Sequence, residues 1–300
     1  MGRNRSVCLS FFYRPTSIVC LNPLLSPAAA LGSAATLGVA DFTGGVAGRR
    51  TPPVGVALGV ELVGLIALPF AFLLLPFKVD PVAALLAFGG GAAGGLGLIA
   101  FYRAMSLNLI GVVAPITAVV AAAAPIAIGV ASGERLHIGQ IAGIAVGLLA
   151  IVLINGGGGG KATQGTRTAV LLAIVAGIGF GLFFILFHAS SPAGVTAFVG
   201  GRLGSAVASL GFALVSRVSP IPGRSAWRLI ALGGTLDGTG VVLYLYATFH
   251  GLLSISALLT SFYPAFTVLC ARLFLHERLS PIQLAGALLA IVAIALIAAT

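Results

Sequence analysis

Charged side chains are scarce in this chain. Its 300 residues include 16 Lys or Arg and only 6 Asp or Glu, together 7% of the sequence, whereas 59% of the residues are hydrophobic and the mean hydropathy is +1.16. A soluble domain carries about 25% charged residues. This composition excludes an ordinary soluble protein and predicts a polytopic membrane protein.

Cysteine and clustered catalytic side chains are also lacking. Cys8, Cys20 and Cys270 are an odd number with no close pair, so no disulfide framework or metal site is predicted. A membrane-embedded lipid-modifying enzyme would need a His/Asp/Glu or Ser/His constellation near one interface, and the sequence shows none. We therefore predict no enzyme and no cofactor, and keep the lipid enzyme as the weakest alternative.

The shortage of acidic residues gives a formal net charge of +10. The basic residues are scattered singly in turns, which is typical of loops that orient a membrane protein rather than of a nucleic-acid interface. No nucleic-acid partner is expected. The expected partners are the lipid bilayer, a small-molecule substrate and protons.

One segment occurs twice, at residues 101–154 and, 143 positions later, at 244–297. The first copy contains Glu134-Arg135-Leu136 and the second Glu277-Arg278-Leu279 at the same offset. Each copy holds two apolar stretches of about twenty residues joined by a charged turn, the length that crosses about 30 Å of hydrocarbon. An internal repeat decides the fold class, so the repeated unit is predicted to be a piece of membrane.

Ten apolar stretches follow from Ala28 onward. They run at 28–47, 54–76, 82–104, 109–132, 138–154, 168–188, 193–215, 226–248, 252–274 and 280–299. Residues 1–27 contain three arginines and three prolines and are predicted to be a poorly structured tail. Residues 155–167 contain five consecutive glycines and then Lys161, but lack the glycine and the Ser or Thr that a P-loop needs at its two ends. They are predicted to be a flexible linker.

The sequence therefore divides into two five-helix units, 28–154 and 168–300. Because five is odd, the second unit crosses the membrane in the opposite sense to the first, which makes an inverted repeat. The predicted fold is an all-α membrane protein with ten transmembrane helices as two inverted five-helix repeats. Many secondary transporters are built in this way.

The duplicated Glu-Arg-Leu turn, Gln140 and Gly143 with their counterparts, and the Gly-Val-Ala-Asp-Phe of residues 38–42 resemble the EamA branch of the drug/metabolite transporter superfamily. The resemblance covers residues 28–299. It implies a central cavity between the halves, alternating access without ATP hydrolysis, and substrates such as amino acids, nucleobases or sugars. It implies export across the bacterial inner membrane, with an uncoupled facilitator as the alternative to a proton-coupled exporter.

The orientation of the termini has two opposing indications. The family is usually drawn with both termini in the cytoplasm. The turns on the opposite side hold most of the basic residues, and this positive-inside bias favours both termini outside. These residues are Arg49, Arg50, Lys161, Arg167, Arg217, Arg224, Arg228 and Arg278, against only Lys78 and Arg135 in the turns on the terminal side.

Few ionisable residues fall within the predicted spans, and four of them are candidates for a site. Charges at mid-bilayer cost about 2.5–3.5 kcal/mol on insertion scales, so they usually face a cavity or a partner. Glu61 and Arg202 lie at matching places in the second and seventh stretches and are predicted to form a charge pair that binds substrate, the alternative being a static pair. Asp41 and Asp237 are predicted to relay protons, since desolvation favours a protonated carboxyl. Their alternative role is to cap backbone amides next to glycines.

Prolines in the fourth and ninth stretches predict broken or kinked helices at a binding site: Pro115 and Pro125 in one, Pro264 in the other. Hydroxyl and aromatic side chains near these prolines are the remaining substrate-binding candidates, with a headgroup belt as the alternative for the tyrosines. They are Tyr263, Thr117, Thr260, Tyr102, Tyr244 and Tyr246. Glu134 and Arg135 are expected to cap the helix that follows them, and His188 and His250 need no special role.

Overall fold

The structure is a computed structural model, and it describes residues 24–107, 110–155, 164–275 and 281–298. These residues form twelve α-helices and no strand. The predicted tail up to residue 23, residues 156–163 of the predicted linker and the Glu277-Arg278 turn lie outside the described residues. The helices are α1 (Leu25–Gly48), α2 (Pro53–Gly64), α3 (Leu68–Leu74), α4 (Pro81–Met105), α5 (Ile110–Ala131), α6 (Ile138–Asn155), α7 (Gln164–Ser190), α8 (Val195–Ser216), α9 (Trp227–His250), α10 (Leu253–Thr260), α11 (Tyr263–Leu275) and α12 (Pro281–Ala298).

Six helical segments in the described part of the chain are long and apolar enough to cross a membrane. A shorter pair of apolar helices, Ile116–Ala131 and Ile138–Leu153, lies between them in sequence. The helix α1 is not among the six, because Ala, Gly, Ser and Thr dominate its sequence rather than Leu and Ile. The six are Pro53–Leu74, Pro81–Met105, Arg167–Ala193, Val195–Ser216, Arg224–His250 and Leu253–Phe274. The chain is thus an all-helical membrane protein.

Two of the predicted stretches are each divided into two helices. A 3₁₀ turn at Leu65–Ala67 separates α2 from α3, and Ser261 and Phe262 separate α10 from α11. The second break lies directly before Pro264, which has no N–H to continue the helical ladder. In the fourth stretch α5 continues through Pro115 and Pro125 as one helix, so there the prolines do not break the helix, and the alternative of a kink stays a prediction. In the first half the break between α2 and α3 begins four residues after Glu61.

Close helix packing depends on glycine. The helix α4 packs on α7 and α8, α1 and α2 pack on α9, α5 packs on α7, and α6 packs on α12. At Gly91 of α4, a Cβ would collide with the backbone carbonyl of Gly201 in α8, and at Gly204 it would collide with the carbonyl of Phe88. In a membrane, where lipid is as apolar as Leu, such close backbone approach supplies the van der Waals energy of helix association.

The turn at Glu134 caps a helix of the other half of the sequence. Its carboxylate accepts hydrogen bonds from the backbone amides of Leu253 at 2.6 Å and Ser254 at 3.2 Å, and from the Ser254 hydroxyl. These are the first amides of α10, which have no partner within that helix. The expectation that Glu134 caps the following helix is wrong. The Gln140 side chain does so instead, by accepting from the His137 amide at 3.0 Å, and this frees Glu134 to reach across the bundle.

Candidate functional site

Five helices bring ionisable and hydroxyl side chains to one cavity. Asp41 comes from α1, Glu61 from the last turn of α2, Arg202 from α8, Asp237 from α9 and Tyr263 from the first residue of α11. Two of the five residues belong to the first half of the sequence and three to the second. The site therefore lies where the two halves meet.

The centre of the site is a buried cluster of three charges. The Nη1 atom of Arg202 lies 2.5 Å from a carboxylate oxygen of Glu61 and 2.6 Å from one of Asp237. The side chains of Arg202, Glu61 and Asp237 are 4%, 11% and 14% exposed. Burying such charges is expensive unless they are paired and hydrogen-bonded, so this cluster holds together only as a unit. Sequence position predicts the Glu61–Arg202 contact, but it assigns Asp237 to a proton relay rather than to this pair.

The guanidinium of Arg202 is held on two further sides. Its Cζ atom lies 5.2 Å from the ring centroid of Phe198, one turn earlier in α8, which is within cation–π range. A Cβ at Gly64 would lie 2.9 Å from Nη1, so only glycine leaves room for the guanidinium there. The second terminal nitrogen, Nη2, is buried and has no hydrogen-bond partner among the described residues. One face of the guanidinium thus has an unused donor.

Asp41 is the carboxylate of the cavity that no partner neutralises. It is 8% exposed and lines the cavity. Within the described ranges its carboxylate makes neither a hydrogen bond nor an ion pair. The alternative role predicted for it, capping of backbone amides, is therefore not present in this conformation. An unpaired carboxylate in such a place is available to a proton or to a cationic ligand.

The cavity has an aromatic wall and a glycine wall. Phe180, Phe183, Phe184 and Phe187 follow the i, i+3, i+4, i+7 spacing of one helical face of α7 and all line the cavity. Glycines 91, 94 and 95 of α4 also line the cavity, and a Cβ at Gly94 would lie 3.1 Å from the Phe183 ring. The space that the centres of water molecules can occupy is about 70 Å³, enough for a few waters at roughly 10–15 Å³ each. Sequence reasoning missed this wall, although the spacing of the four phenylalanines is a signal that could have found it.

Tyr263 completes the cavity beside Pro264. Its ring meets those of Phe101 and Phe180 edge-on, each at 6.4 Å between centroids. The hydroxyl group is buried and has no hydrogen-bond partner within the described part of the chain. Because the break between α10 and α11 lies immediately before it, Tyr263 stands at the irregular backbone that the proline predicted.

The other hydroxyl candidates lie in helix contacts outside the cavity lining. Thr117 donates to the carbonyl of Ala173 at 3.2 Å and joins α5 to α7. Thr260 donates weakly to the carbonyl of Ala30 at 3.5 Å, between α10 and α1. In this conformation neither side chain faces the cavity, so their substrate role stays a prediction.

The remaining tyrosines also lie away from the cavity lining. Tyr102 is fully buried against Gly44 of α1, where a side chain on residue 44 would collide with the phenol. Tyr246 stacks on His250 with 4.3 Å between ring centroids. Tyr244 donates to the Phe184 carbonyl at 2.8 Å and so supports the aromatic wall from behind. For Tyr102 and Tyr246, substrate binding likewise stays a prediction.

Comparison with known proteins shows what the chain is similar to. Residues 167–299 match the profile of the EamA-like transporter family. The second half of the chain is thus similar to this family. The match covers the second half, which contributes Arg202, Asp237 and Tyr263 to the cavity, and the family is one of transporters rather than enzymes.

A solved structure shares the fold of this EamA-like protein. A crystal structure described only as that of a protein superposes with a TM-score of 0.67 at 20% sequence identity, covering 91% of this chain and 96% of its own. At that identity the similarity concerns the fold alone. A comparison with curated proteins finds no significant match.

Proposed function

We propose that this EamA-like protein is a secondary transporter of the bacterial inner membrane that exports a small metabolite by alternating access, in exchange for protons. The observation that carries the proposal is the cavity itself. Residues from both halves place three carboxylates and one guanidinium around an internal space, at a depth where unpaired charge is costly. A structural scaffold has no use for such a site.

Contacts between turns support ten crossings in two inverted units. In that topology, the turns after the first and seventh spans share a side, and the Gly223 amide donates to Thr51 Oγ1 at 3.0 Å. The turns after the second and sixth spans share the other side, and the Val195 amide donates to the Pro76 carbonyl at 2.9 Å. The cap that Glu134 places on α10 joins the turns after the fourth and eighth spans, also predicted to share a side.

The helix contacts support the same topology. If the halves are repeats, α4 corresponds to α9, α7 to α1, and α8 to α2. The helix α4 packs on α7 and α8, and its counterpart α9 packs on α1 and α2. The pairing is thus preserved when the halves are exchanged, as expected for two copies related by a two-fold axis.

Asp41 and Asp237 are the groups proposed to carry protons. When all are ionised, the cluster of Asp41, Glu61, Asp237 and Arg202 has three negative charges and one positive charge. Such an excess in apolar surroundings favours uptake of a proton by one carboxylate. Asp41 is the member that can gain a proton without breaking an ion pair. Proton uptake and substrate binding then compete for the same place, which couples their movements in opposite directions.

Proton coupling is measurable before the substrate is identified. Proteoliposomes loaded with a fluorescent pH indicator are exposed in turn to single amino acids, nucleobases, sugars and amines. Addition of a transported compound should change the internal pH in wild-type vesicles, and an imposed pH gradient should drive its accumulation. Asp41→Asn should reduce the proton flux at least about tenfold. Asp80→Asn is the matched control, because Asp80 caps α4 in a turn and Asn caps equally well.

Solute flux that does not depend on the imposed pH gradient would show an uncoupled facilitator instead. Asp41→Asn with full proton-coupled flux would remove Asp41 from the relay.

A further inference from the structure

The charge balance of the cavity disfavours anions. Arg202 is its single cation, and one nitrogen of its guanidinium is already within 2.6 Å of two carboxylates. Asp41 adds a third negative charge with no counter-ion among the described residues. Loading one proton still leaves the cluster with a net charge of −1. An anionic ligand would enter against this charge, whereas a monovalent cation would neutralise it.

The aromatic wall favours the same kind of ligand. Phe180, Phe183, Phe184 and Phe187 present rings to the cavity, with 4.1 Å between the ring centroids of Phe183 and Phe187. The negative ring faces attract an ammonium group, and the ring surfaces bury an apolar body. In the described part of the chain, no group of three carboxylate, His or Cys side chains is arranged to hold a metal ion. The cation that fits is therefore organic.

Two buried polar groups point to where its ammonium binds. The Asp41 carboxylate and the Tyr263 hydroxyl both line the cavity, both belong to side chains that are more than nine-tenths buried, and neither has a partner within the described ranges. Carboxylate and hydroxyl oxygens both accept hydrogen bonds, and an ammonium group has donors for both. The unused Nη2 of Arg202 is the one feature that suits a carboxylate, but its charge is already balanced by Glu61 and Asp237.

We propose, resting on the transport function above, that the cavity selects organic monocations: amines or quaternary ammonium compounds with an aromatic or apolar body. The cationic group binds at Asp41 and Tyr263, and the body lies against the phenylalanines of α7.

Four probes of one shape separate the charge states. Phenethylamine is the cation, phenylalanine the zwitterion, phenylacetamide the neutral analogue and phenylacetate the anion. Binding to the purified full-length protein is measured by thermal stabilisation and by competition with radiolabelled phenethylamine. Phenethylamine should bind at least about tenfold more tightly than phenylacetamide and phenylacetate, since a lost buried charge-assisted hydrogen bond has about that effect. It should also bind more tightly than phenylalanine, whose carboxylate would enter against the net negative charge. Equal or tighter binding of phenylalanine, phenylacetamide or phenylacetate overturns the proposal.

Variants test the assigned residues. Asp41→Asn should weaken phenethylamine binding at least about tenfold, and Tyr263→Phe, which removes only the hydroxyl, by a smaller factor. Asp80→Asn should leave binding unchanged, and gel filtration shows whether each variant is folded. If Asp41→Asn does not fold, the Tyr263→Phe result decides: unchanged affinity for phenethylamine contradicts the assignment.

Flux distinguishes this inference from the transport function. Benzyltrimethylammonium has a fixed charge and does not cross bilayers unaided, so its uptake into proteoliposomes reports transport. Binding of cations without any flux of any probe would reject transport and keep the cation site. Flux of phenylalanine or phenylacetate but not of the cations would keep transport and reject the cation site.

Discussion

At the scale of single residues, the ion cluster shows what a sequence predicts about a site. Glu61 and Arg202 could be paired in advance, because they occupy matching places in the two halves. Asp237 could not be added to the pair from its position alone, since its contact depends on how α9 crosses α8 and α2. Asp41 and Tyr263 were both predicted as site residues, and both line the cavity, but only the structure shows that neither has a partner among the described residues.

Removing the guanidinium alone should destabilise the protein far more than removing all three charges of the cluster. Arg202→Met leaves two buried carboxylates unpaired and should destabilise the protein by about 3–5 kcal/mol. The triple variant Glu61→Gln, Arg202→Met, Asp237→Asn should recover most of that loss, because no uncompensated charge remains. Thermal unfolding in detergent measures both. If Arg202→Met is as stable as wild type, the cluster does not form.

At the scale of elements, helix bounds were predictable and helix contacts were not. Long apolar runs between charged turns located most helices to within a few residues. The prolines predicted the break before α11 correctly, whereas α5 continues through its two prolines without a break, because a proline's effect on a helix depends on what surrounds it. The reach of Glu134 to α10 spans 119 residues in sequence, and no local pattern encodes it.

Neutralising Glu134 should loosen the start of α10. Glu134→Gln loses the charged acceptor at a helix N-terminus, an interaction of about 1–2 kcal/mol in partly buried geometries. Hydrogen exchange at the amides of Leu253 and Ser254 should accelerate accordingly. Arg135→Gln, in the same turn but exposed, is the control. Unchanged exchange in Glu134→Gln would mean that solvent satisfies these amides.

Two glycines of α8 give opposite predictions for the same substitution. Gly204→Ala would force a methyl group onto the Phe88 carbonyl of α4 and should destabilise by about 1–3 kcal/mol. Gly211→Ala meets nothing within 4 Å and should stabilise by roughly 0.5–1 kcal/mol, the helix-propensity difference. Thermal unfolding compares them directly. A similar effect of both substitutions would contradict the close approach of α4 and α8.

At the scale of the whole molecule, the topology makes a prediction about sidedness. In a variant without cysteines, Arg50→Cys and Arg217→Cys should react with a membrane-impermeant thiol reagent from one side of the membrane, and Lys78→Cys and Arg135→Cys from the other. The distribution of basic residues favours a cytoplasmic location for the first pair. Labelling of intact cells and of inverted vesicles measures this. Reaction of all four positions from one side would reject the ten-span arrangement.

The packing of the helices also constrains how the protein is made. The glycine-lined contacts of α4 join it to α7 and α8, and those of α1 and α2 join them to α9. During synthesis, the earlier helices leave the translocon before any of these partners has been translated. Until the second half is made, their glycine-rich faces are in contact with lipid instead of a partner helix. A nascent chain that stops after α6 should therefore be a substrate for membrane proteases, and co-expression of the missing half in trans should rescue it.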